Sequence, residues 1–215
     1  MQKYLINKNS DNLLIFFTGW GCDEFEFEHL QSDRDVLLLY NYLNMDLNFD
    51  FSKYKKFDLI AFSAGVFMAS IFNFDFEIGK KIALSGNPYL FDEKLGLSKD
   101  IQKVLCSVTA ETADDFARNY LVKTEEEWKK FHHSKRTPES CLAEFNALKS
   151  IYENQKQNIR DIYDSAYIGA DDPIFNPSKQ KEFYGSKLHL VENARHNLFF
   201  RIESYEEIFK GKKNQ

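Results

Sequence analysis

The fold of this protein is decided by residues 57–66, FDLIAFSAGV. The first six of these residues are apolar apart from Asp58, which is typical of a strand buried on both faces. Small residues then surround Ser63, and the residues after it favour a helix. A serine between a buried strand and a helix, with small neighbours that avoid clashes in a tight turn, indicates a nucleophile elbow. The sequence therefore predicts a strand, a sharp turn that presents the Ser63 hydroxyl, and a helix.

The helix after this elbow offers a second catalytic element. Its first N–H groups have no partner within the helix and point toward the space beside the serine. They can hold the negative charge that develops on a carbonyl oxygen under attack. We therefore predict the Ala64 N–H as an oxyanion donor, although Ala61 stands where the common G-x-S-x-G pattern has glycine.

Apolar stretches of strand length recur along the chain, with helical or loop material between them. Their near-continuous hydrophobicity indicates strands buried on both faces, as in a parallel sheet. They predict an α/β fold with a mostly parallel central sheet flanked by helices. Residues 3–6 form either an outer strand or a tail. The predicted strands are 13–18, 36–40, 58–62, 81–85, 165–169 and 188–191.

A helical segment interrupts this alternation. Residues 89–160 contain no good strand, and an insertion that follows a strand end lies over the ligand crevice of such a sheet. We therefore predict a core of residues 1–88 and 161–215 with a helical lid insertion of residues 89–160; a helical packing subdomain without substrate contact is the alternative. Three predicted helix starts lie in the insertion: Thr112 with Asp115, Thr124 with Glu127 in a capping box, and Thr137 before Pro138.

An acid and a histidine follow the last two predicted strands. Asp172 lies in the GADDP loop after the first of these strands, and His196 lies just beyond the second. The residues between them suffice for one helix, expected over residues 176–185, and one strand, so both side chains lie at the carboxyl edge of the sheet. Asp171 is a rival to Asp172. We prefer Asp172 because a Gly-x-x-Asp spacing is usual for this loop.

The order Ser63, Asp172, His196 is the order of the catalytic residues in α/β-hydrolases. A serine hydroxyl is a poor nucleophile until a base takes its proton, and the imidazole needs a carboxylate that fixes its tautomer and stabilises its charged form. Each residue alone has a structural explanation, such as a helix cap or a solvated turn. Because all three follow predicted strands in this order, we predict a catalytic triad in an α/β-hydrolase fold.

The stretch FTGWG, residues 17–21, lies at and just beyond the end of the first strong strand. Glycines on both sides of Trp20 let the backbone approach the nucleophile, so the Trp20 N–H is predicted as the second oxyanion donor. The Trp20 ring either forms a wall of an acyl pocket or is a core aromatic beside a turn.

Four short motifs occur together in this chain: TGWGCD at residues 18–23, FSAGV at residues 62–66, DDP at residues 171–173 and RH at residues 195–196. Together they resemble the BioG family of biotin-synthesis esterases, over most of the chain but least in the insertion. Members of that family are α/β-hydrolases that remove the methyl ester from pimeloyl-acyl carrier protein. The resemblance implies Ser63 as nucleophile, His196 as base, Asp172 as the residue that orients the base, Trp20 and Ala64 as oxyanion donors, and no metal or organic cofactor.

The resemblance also implies an acyl carrier protein as partner. Since carrier proteins are acidic, the docking surface needs basic residues even on an acidic enzyme. The best candidate is KKFHHSKR, residues 129–136, with Lys129, Lys130, Lys135 and Arg136. The alternative is a solvated helix end that neutralises the three preceding glutamates.

Composition excludes several other classes of protein. The formal net charge of -5 argues against a general nucleic-acid binder. No apolar run reaches the roughly 18 residues of a membrane span, and residues 13–17 are too short for a signal-peptide core, so we expect a cytoplasmic protein. Cys22, Cys106 and Cys141 lie far apart, without the C-x-x-C pair of a zinc or redox site.

Asp23, the last residue of the TGWGCD motif, matches the family but has no implied role. The nearest alternative is an esterase or thioesterase of the same fold that acts on another acyl group, while a binding protein without catalysis is disfavoured by the complete triad. A methyltransferase or dinucleotide enzyme is disfavoured because no G-x-G-x-x-G loop follows the first strand.

Overall fold

The computed structural model describes residues 1–210, which contain one seven-stranded sheet. Its strands are β1 (Gln2–Ile6), β2 (Asn12–Phe17), β3 (Asp35–Tyr40), β4 (Lys56–Phe62), β5 (Lys81–Leu84), β6 (Ser165–Gly169) and β7 (Leu188–Val191). They lie in the order β1-β3-β2-β4-β5-β6-β7. All neighbours pair in parallel except β1, which is antiparallel to β3.

Helices connect and cover these strands. The α-helices of the described residues are α1 (Ala64–Ile71), α2 (Lys99–Cys106), α3 (Ala113–Phe116), α4 (Glu125–Lys130), α5 (Pro138–Gln155), α6 (Pro177–Tyr184) and α7 (Glu206–Lys210). A π-helical turn, Ala117–Leu121, follows α3 directly. Within residues 1–210, none of the helices combines the length and the hydrophobicity needed to cross a lipid bilayer.

The predicted strands and the mostly parallel sheet are confirmed. No strand end differs from its prediction by more than two residues. The segment 3–6 is the edge strand β1, and its weak pattern has a physical reason, because three of its five side chains are exposed. The predicted helix at 176–185 is α6, with Asn176 as N-cap and Gly185 as C-cap.

An apolar core covers each face of the sheet. Successive side chains of β2 enter opposite cores, because side chains alternate along a strand. Leu13, Ile15 and Phe17 therefore pack on the face that carries α1, and Leu14 and Phe16 pack on the other face. All eight residues of α1 are buried, since the helix lies between the sheet and the helices of the insertion.

The segment between β5 and β6, which the structure describes completely, contains α2 to α5 and no strand, as predicted. The Thr124 capping box with Glu127 and the Thr137 cap are both present. The helix start predicted at Thr112 is confirmed, since α3 begins at Ala113 with Thr112 as its N-cap residue. The predicted side-chain cap is wrong, because the Thr112 side chain makes no capping hydrogen bond to α3. Its hydroxyl accepts the Thr109 N–H at 2.9 Å, and this local turn takes the place of the cap.

Candidate active site

Ser63 occupies a sharp turn between β4 and α1. Its backbone has φ 53° and ψ −120°, a strained conformation that turns the serine out of the chain path. The Ser63 N–H donates to the Leu84 carbonyl at 2.9 Å, which fixes the turn to the end of β5. A Cβ at Gly65 would lie 2.2 Å from the Phe17 carbonyl oxygen, so only glycine fits there. The predicted strand, turn and helix are therefore confirmed.

The structure brings Ser63, His196 and Asp172 together at the carboxyl edge of the sheet. His196 Nε2 lies 3.0 Å from Ser63 Oγ, and His196 Nδ1 lies 2.9 Å from Asp172 Oδ2. An Nδ1–H that donates to Asp172 leaves the Nε2 lone pair facing the serine hydroxyl. This is the tautomer in which a histidine accepts the proton of a nucleophile.

Hydrogen bonds distinguish the two candidate acids. Asp172 is buried, and its second oxygen accepts the N–H groups of Ile174 at 2.8 Å and Phe175 at 3.0 Å, which fixes the carboxylate toward His196. Asp171 points elsewhere and forms an ion pair with Lys123 at 2.5 Å, with about half of its side chain exposed. The geometry favours Asp172, as expected from the spacing.

Close backbone packing joins the loops that carry the acid and the histidine. A Cβ at Gly169 would lie 2.2 Å from the Arg195 carbonyl oxygen, and the Asp171 N–H donates to the Ala194 carbonyl at 2.9 Å. The His196 ring stacks on Phe175 with an interplanar angle of 10°. The imidazole therefore has little freedom to turn away from the acid.

The π-helical turn of the insertion holds the histidine loop from the other side. The His196 N–H donates to the Tyr120 carbonyl at 3.3 Å, and the Asn197 N–H donates to the Leu121 carbonyl at 2.9 Å. Because π-helical turns widen the backbone and leave carbonyls available, they are frequent beside functional sites. Here the carbonyls fix the position of the loop that carries the histidine.

Two backbone N–H groups are available beside Ser63. The Ala64 N–H begins α1 and has no partner one turn back. In the Gly19–Cys22 turn, the Cys22 N–H donates to the Gly19 carbonyl at 3.4 Å. The Gly19 carbonyl and the Trp20 N–H belong to one planar trans peptide, so the Trp20 N–H points away from Cys22. Within residues 1–210 the Trp20 N–H makes no hydrogen bond. Both groups lie at the cavity that contains Ser63.

A cavity of about 370 Å³ lies over the serine. One side of it belongs to the sheet edge and the other to the insertion, and most of the lining side chains are apolar. An apolar wall with a few converging polar groups is typical of a site for an acyl chain. Representative lining residues are Trp20, Leu90, Leu105, Phe116, Phe145 and Leu148.

The chain matches the family model of BioG, described as pimeloyl-ACP methyl esterase, over residues 1–208. The protein belongs to the BioG family. Together with its sheet, this membership makes the chain a hydrolase of the esterase type with the α/β-hydrolase fold.

Two solved structures agree with this assignment at the level of the fold, and one further protein is similar in sequence. The crystal structure of BioG from Haemophilus influenzae superposes with a TM-score of 0.82 at 24% identity, covering 97% of this chain and 99% of that chain. A lipase-esterase related protein from Clostridium acetobutylicum has a TM-score of 0.58 at 20% identity, with 94% and 93% covered. A malonyl-[acyl-carrier protein] O-methyltransferase of Bacteroides fragilis is 27% identical over 176 residues, which are 79% of this chain and 36% of that protein.

The BioG-family site contains a buried carboxyl group that the sequence did not reveal. Glu26 lines the cavity, and its Oε1 accepts a hydrogen bond from Asn197 Nδ2 at 2.9 Å. Burial raises the pKa of Glu26 to about 7, because the carboxylate is removed from water. In the sequence Glu26 is one of several acids in EFEFE, residues 24–28, so no local signal distinguishes it.

The basic segment 129–136 divides into surface and interior residues. Lys129 and Lys135 are exposed, and the Lys135 ammonium lies over the ring of Phe25, 3.0 Å from its centroid. Lys130 is partly exposed and forms an ion pair with Glu203 at 2.5 Å. Lys129 and Lys135 present positive charge near the cavity rim, since His133 and Ser134 line the cavity, whereas the charge of Lys130 is balanced by Glu203.

Arg136 lies in the interior. Its side chain is 7% exposed and forms an ion pair at 2.5 Å with Glu144, which is 0% exposed. Its charge is neutralised inside the molecule, so Arg136, unlike the lysines of the segment, does not contribute to a docking surface.

Asp23, which had no role from sequence, connects the core to the insertion. One carboxylate oxygen accepts the Phe25 N–H at 3.1 Å and the other accepts the Lys135 N–H at 2.7 Å. The first bond caps the short 3-10 helix Glu24–Phe27. Asp23 therefore fixes the backbone of the basic segment against the loop after β2.

The three cysteines lie around the same cavity. Cys22 is buried, Cys141 is half-buried and Cys106 is exposed, and all three are free thiols. Burial raises the pKa of the Cys22 and Cys141 thiols, which keeps them protonated. Within residues 1–210, no group of three or more His, Cys, Asp or Glu side chains is arranged to hold a metal ion.

Proposed function

We propose that this protein is a serine carboxylesterase that hydrolyses the methyl ester of pimeloyl-acyl carrier protein, giving pimeloyl-acyl carrier protein and methanol in biotin synthesis. The observation that carries the proposal is the continuous hydrogen-bonded chain from Ser63 through His196 to Asp172 at an apolar cavity. The printed activity of the family, pimeloyl-ACP methyl esterase, supports the choice of substrate.

The first half of the proposed reaction transfers the acyl group to the enzyme. The Ser63 hydroxyl attacks the ester carbonyl carbon while His196 Nε2 takes its proton. The carbonyl oxygen becomes negatively charged and accepts hydrogen bonds from the N–H groups of Ala64 and Trp20. His196 then gives the proton to the methoxy oxygen, the carbon–oxygen bond breaks, methanol leaves, and an acyl-Ser63 ester remains.

The second half returns the enzyme to its starting state. A water molecule gives a proton to His196 Nε2, and its oxygen attacks the acyl-Ser63 carbonyl carbon. The bond to Ser63 Oγ breaks as His196 returns the proton to that oxygen, and the free carboxylic acid leaves. Asp172 stabilises the imidazolium form of His196 in both halves. No step requires a metal or organic cofactor.

Two observations support a carrier-bound acyl ester. The apolar cavity suits a chain of methylene groups, and we propose that the insertion 89–160 acts as the lid over it, because both insertion and core residues form its walls. The segment that matches this chain in the Bacteroides fragilis relative belongs to a polypeptide named as a methyltransferase of malonyl-acyl carrier protein. A methyl ester on a carrier-bound acyl group is what the proposed reaction removes.

Product analysis tests this function. The purified protein, incubated with the methyl ester of pimeloyl-acyl carrier protein, is expected to yield a carrier that has lost one methyl group and still holds its acyl chain, as measured by intact-protein mass spectrometry. A thioesterase would instead release the carrier thiol and leave the methyl ester intact. Release of the free thiol, or an unchanged substrate, would contradict the proposal.

We propose that the carrier protein docks on the lysines of the basic segment, Lys129, Lys130 and Lys135. All three ammonium groups lie at the surface of the insertion, that of Lys130 in an ion pair with Glu203, and the segment between them reaches the cavity rim. An acidic carrier would be steered toward this rim by the field of the lysines.

Charge reversal at this surface is expected to separate carrier-bound from small substrates. Lys129→Glu with Lys135→Glu should lower kcat/KM for the carrier-bound ester by about tenfold at low salt, since rim charges act on the association rate. Hydrolysis of p-nitrophenyl butyrate should be unchanged, and added salt should reduce the difference because exposed charges are screened. The matched control is Lys56→Glu, since Lys56 is exposed at the opposite end of β4 from Ser63. Equal losses on both substrates would remove the docking surface from the proposal.

A further inference from the structure

A buried carboxylate of α5 contacts the loop that carries the proposed oxyanion donor. Glu144 is fully buried, and its Oε2 accepts the Gly21 N–H at 2.9 Å. Its Oε1 accepts the N–H of Tyr42, just after β3, at 2.8 Å. Both loops follow central strands of the sheet, so one side chain of the insertion fixes two backbone groups of the core.

Arg136 neutralises this carboxylate. Its Nη1 donates to Glu144 Oε2 at 2.5 Å, while Nη2 donates to Asn41 Oδ1 at 2.9 Å and to the Ser140 carbonyl at 3.1 Å. A buried ion pair of this kind contributes little net stability compared with apolar residues of similar volume, because both charges lose their hydration. A role in fixing local geometry is the better account of the pair.

The same face of α5 also holds the Trp20 side chain. The Trp20 indole N–H donates to the Cys141 carbonyl at 2.7 Å, and the ring packs edge-on against Phe145. Cys141 and Glu144 are three residues apart, so they are neighbours on the helix surface. Two groups of this loop are thus bound to α5, namely the Trp20 side chain and the Gly21 N–H. These two contacts hold the backbone of Trp20 in place, and with it the direction of the Trp20 N–H.

We propose that Glu144, held by Arg136, is a positioning residue that orients the Trp20 N–H toward the oxyanion. The inference rests on the proposed role of that N–H in ester hydrolysis. Without the Glu144 carboxylate, the Gly21 N–H loses its acceptor and the Gly19–Cys22 turn gains other orientations. An oxyanion donor acts only on the charged transition state, so its misalignment lowers kcat and leaves substrate binding in the cavity largely unchanged.

The test compares variants of Glu144 on p-nitrophenyl butyrate, a small ester that needs no carrier docking. Glu144→Gln keeps the volume but replaces one of the two acceptor oxygens by an NH2 group, so the N–H groups of Gly21 and Tyr42 can no longer both be bound. It is expected to lower kcat by about ten- to a hundredfold with KM within about twofold, part of the loss seen when an oxyanion donor is deleted. The inhibition constant of a trifluoromethyl ketone, whose serine adduct carries the oxyanion, should rise by the same factor as kcat/KM falls. The matched control is Glu153→Gln, an exposed residue of the same helix, with unchanged values.

A second variant guards against a folding defect. The double variant Arg136→Met, Glu144→Gln removes both charges at similar volume, a replacement that folded proteins commonly tolerate. It should show the same fall in kcat at temperatures well below its measured unfolding transition. Full kcat in this folded variant, or a fall in kcat without weaker ketone binding, would overturn the inference. The proposed serine mechanism fails on a different result, namely activity that survives Ser63→Ala in the otherwise unchanged protein.

Discussion

Ser63→Ala is expected to lower kcat for ester hydrolysis by roughly 10⁴- to 10⁶-fold, the loss known for the nucleophile of a catalytic triad. The variant removes the attacking oxygen, and His196 then has no hydroxyl to deprotonate. Alanine differs from serine only by that oxygen and adopts the turn at φ 53° with the same Cβ. Stability should therefore change little. The measurements are hydrolysis of p-nitrophenyl butyrate, covalent labelling by a fluorophosphonate, and thermal unfolding.

Ser85 provides the matched control for this experiment. It follows β5 as Ser63 follows β4, and it also has a positive φ, of 43°. Its side chain is fully buried and has no hydrogen-bond partner among the described residues. Ser85→Ala should keep its activity and its labelling. If Ser63→Ala remained active or still reacted with the fluorophosphonate, Ser63 would not be the nucleophile.

Asp172→Asn is expected to lower kcat by about 10³- to 10⁴-fold, because an amide no longer holds the histidine in the tautomer that accepts the serine proton. The amide oxygen of Asn can still accept the N–H groups of Ile174 and Phe175, so the loop should keep its shape. The loss should therefore appear in kcat, with little change in unfolding temperature. The measurement is steady-state kinetics beside thermal unfolding.

The neighbouring acid makes this prediction specific. Asp171→Asn removes only a half-exposed ion pair with Lys123, and such pairs contribute about 0 to 1 kcal/mol. Its kcat should remain within about twofold of the parent protein, since the Asp171 side chain bonds to Lys123 and makes no hydrogen bond to His196 among residues 1–210. A large loss at Asp171 with normal activity at Asp172 would exchange the roles of the two acids.

The strand pattern could be predicted from the sequence because each strand carries its own signal. β2, β3 and β4 are buried on both faces, so they appear as continuous apolar runs whose ends are visible in the sequence. β1 gives a weaker signal, because it lies at the edge and exposes most of its side chains. The Thr112 cap was wrong for a related reason, since several local hydrogen bonds compete for one hydroxyl and sequence spacing does not rank them.

The candidate triad was also accessible from sequence. In a parallel sheet the carboxyl ends of the strands lie at one edge, so residues that follow different strands become neighbours. Chain order and chemical type then select Ser63, Asp172 and His196. The distances between their side chains could not be predicted from the sequence, because they depend on close tertiary contacts such as that of Gly169 with Arg195.

The sequence by itself determined the strands, the turn at Ser63 and the set of residues at the sheet edge, because each depends on local pattern or on the direction of neighbouring strands. Only the tertiary structure decided which charges are internal. Arg136 looks like a surface cation in the sequence, yet it meets Glu144 inside the molecule. Glu26 likewise meets Asn197 from a distant part of the chain. Burial and pairing of charges depend on contacts between distant segments, and no local pattern encodes those contacts.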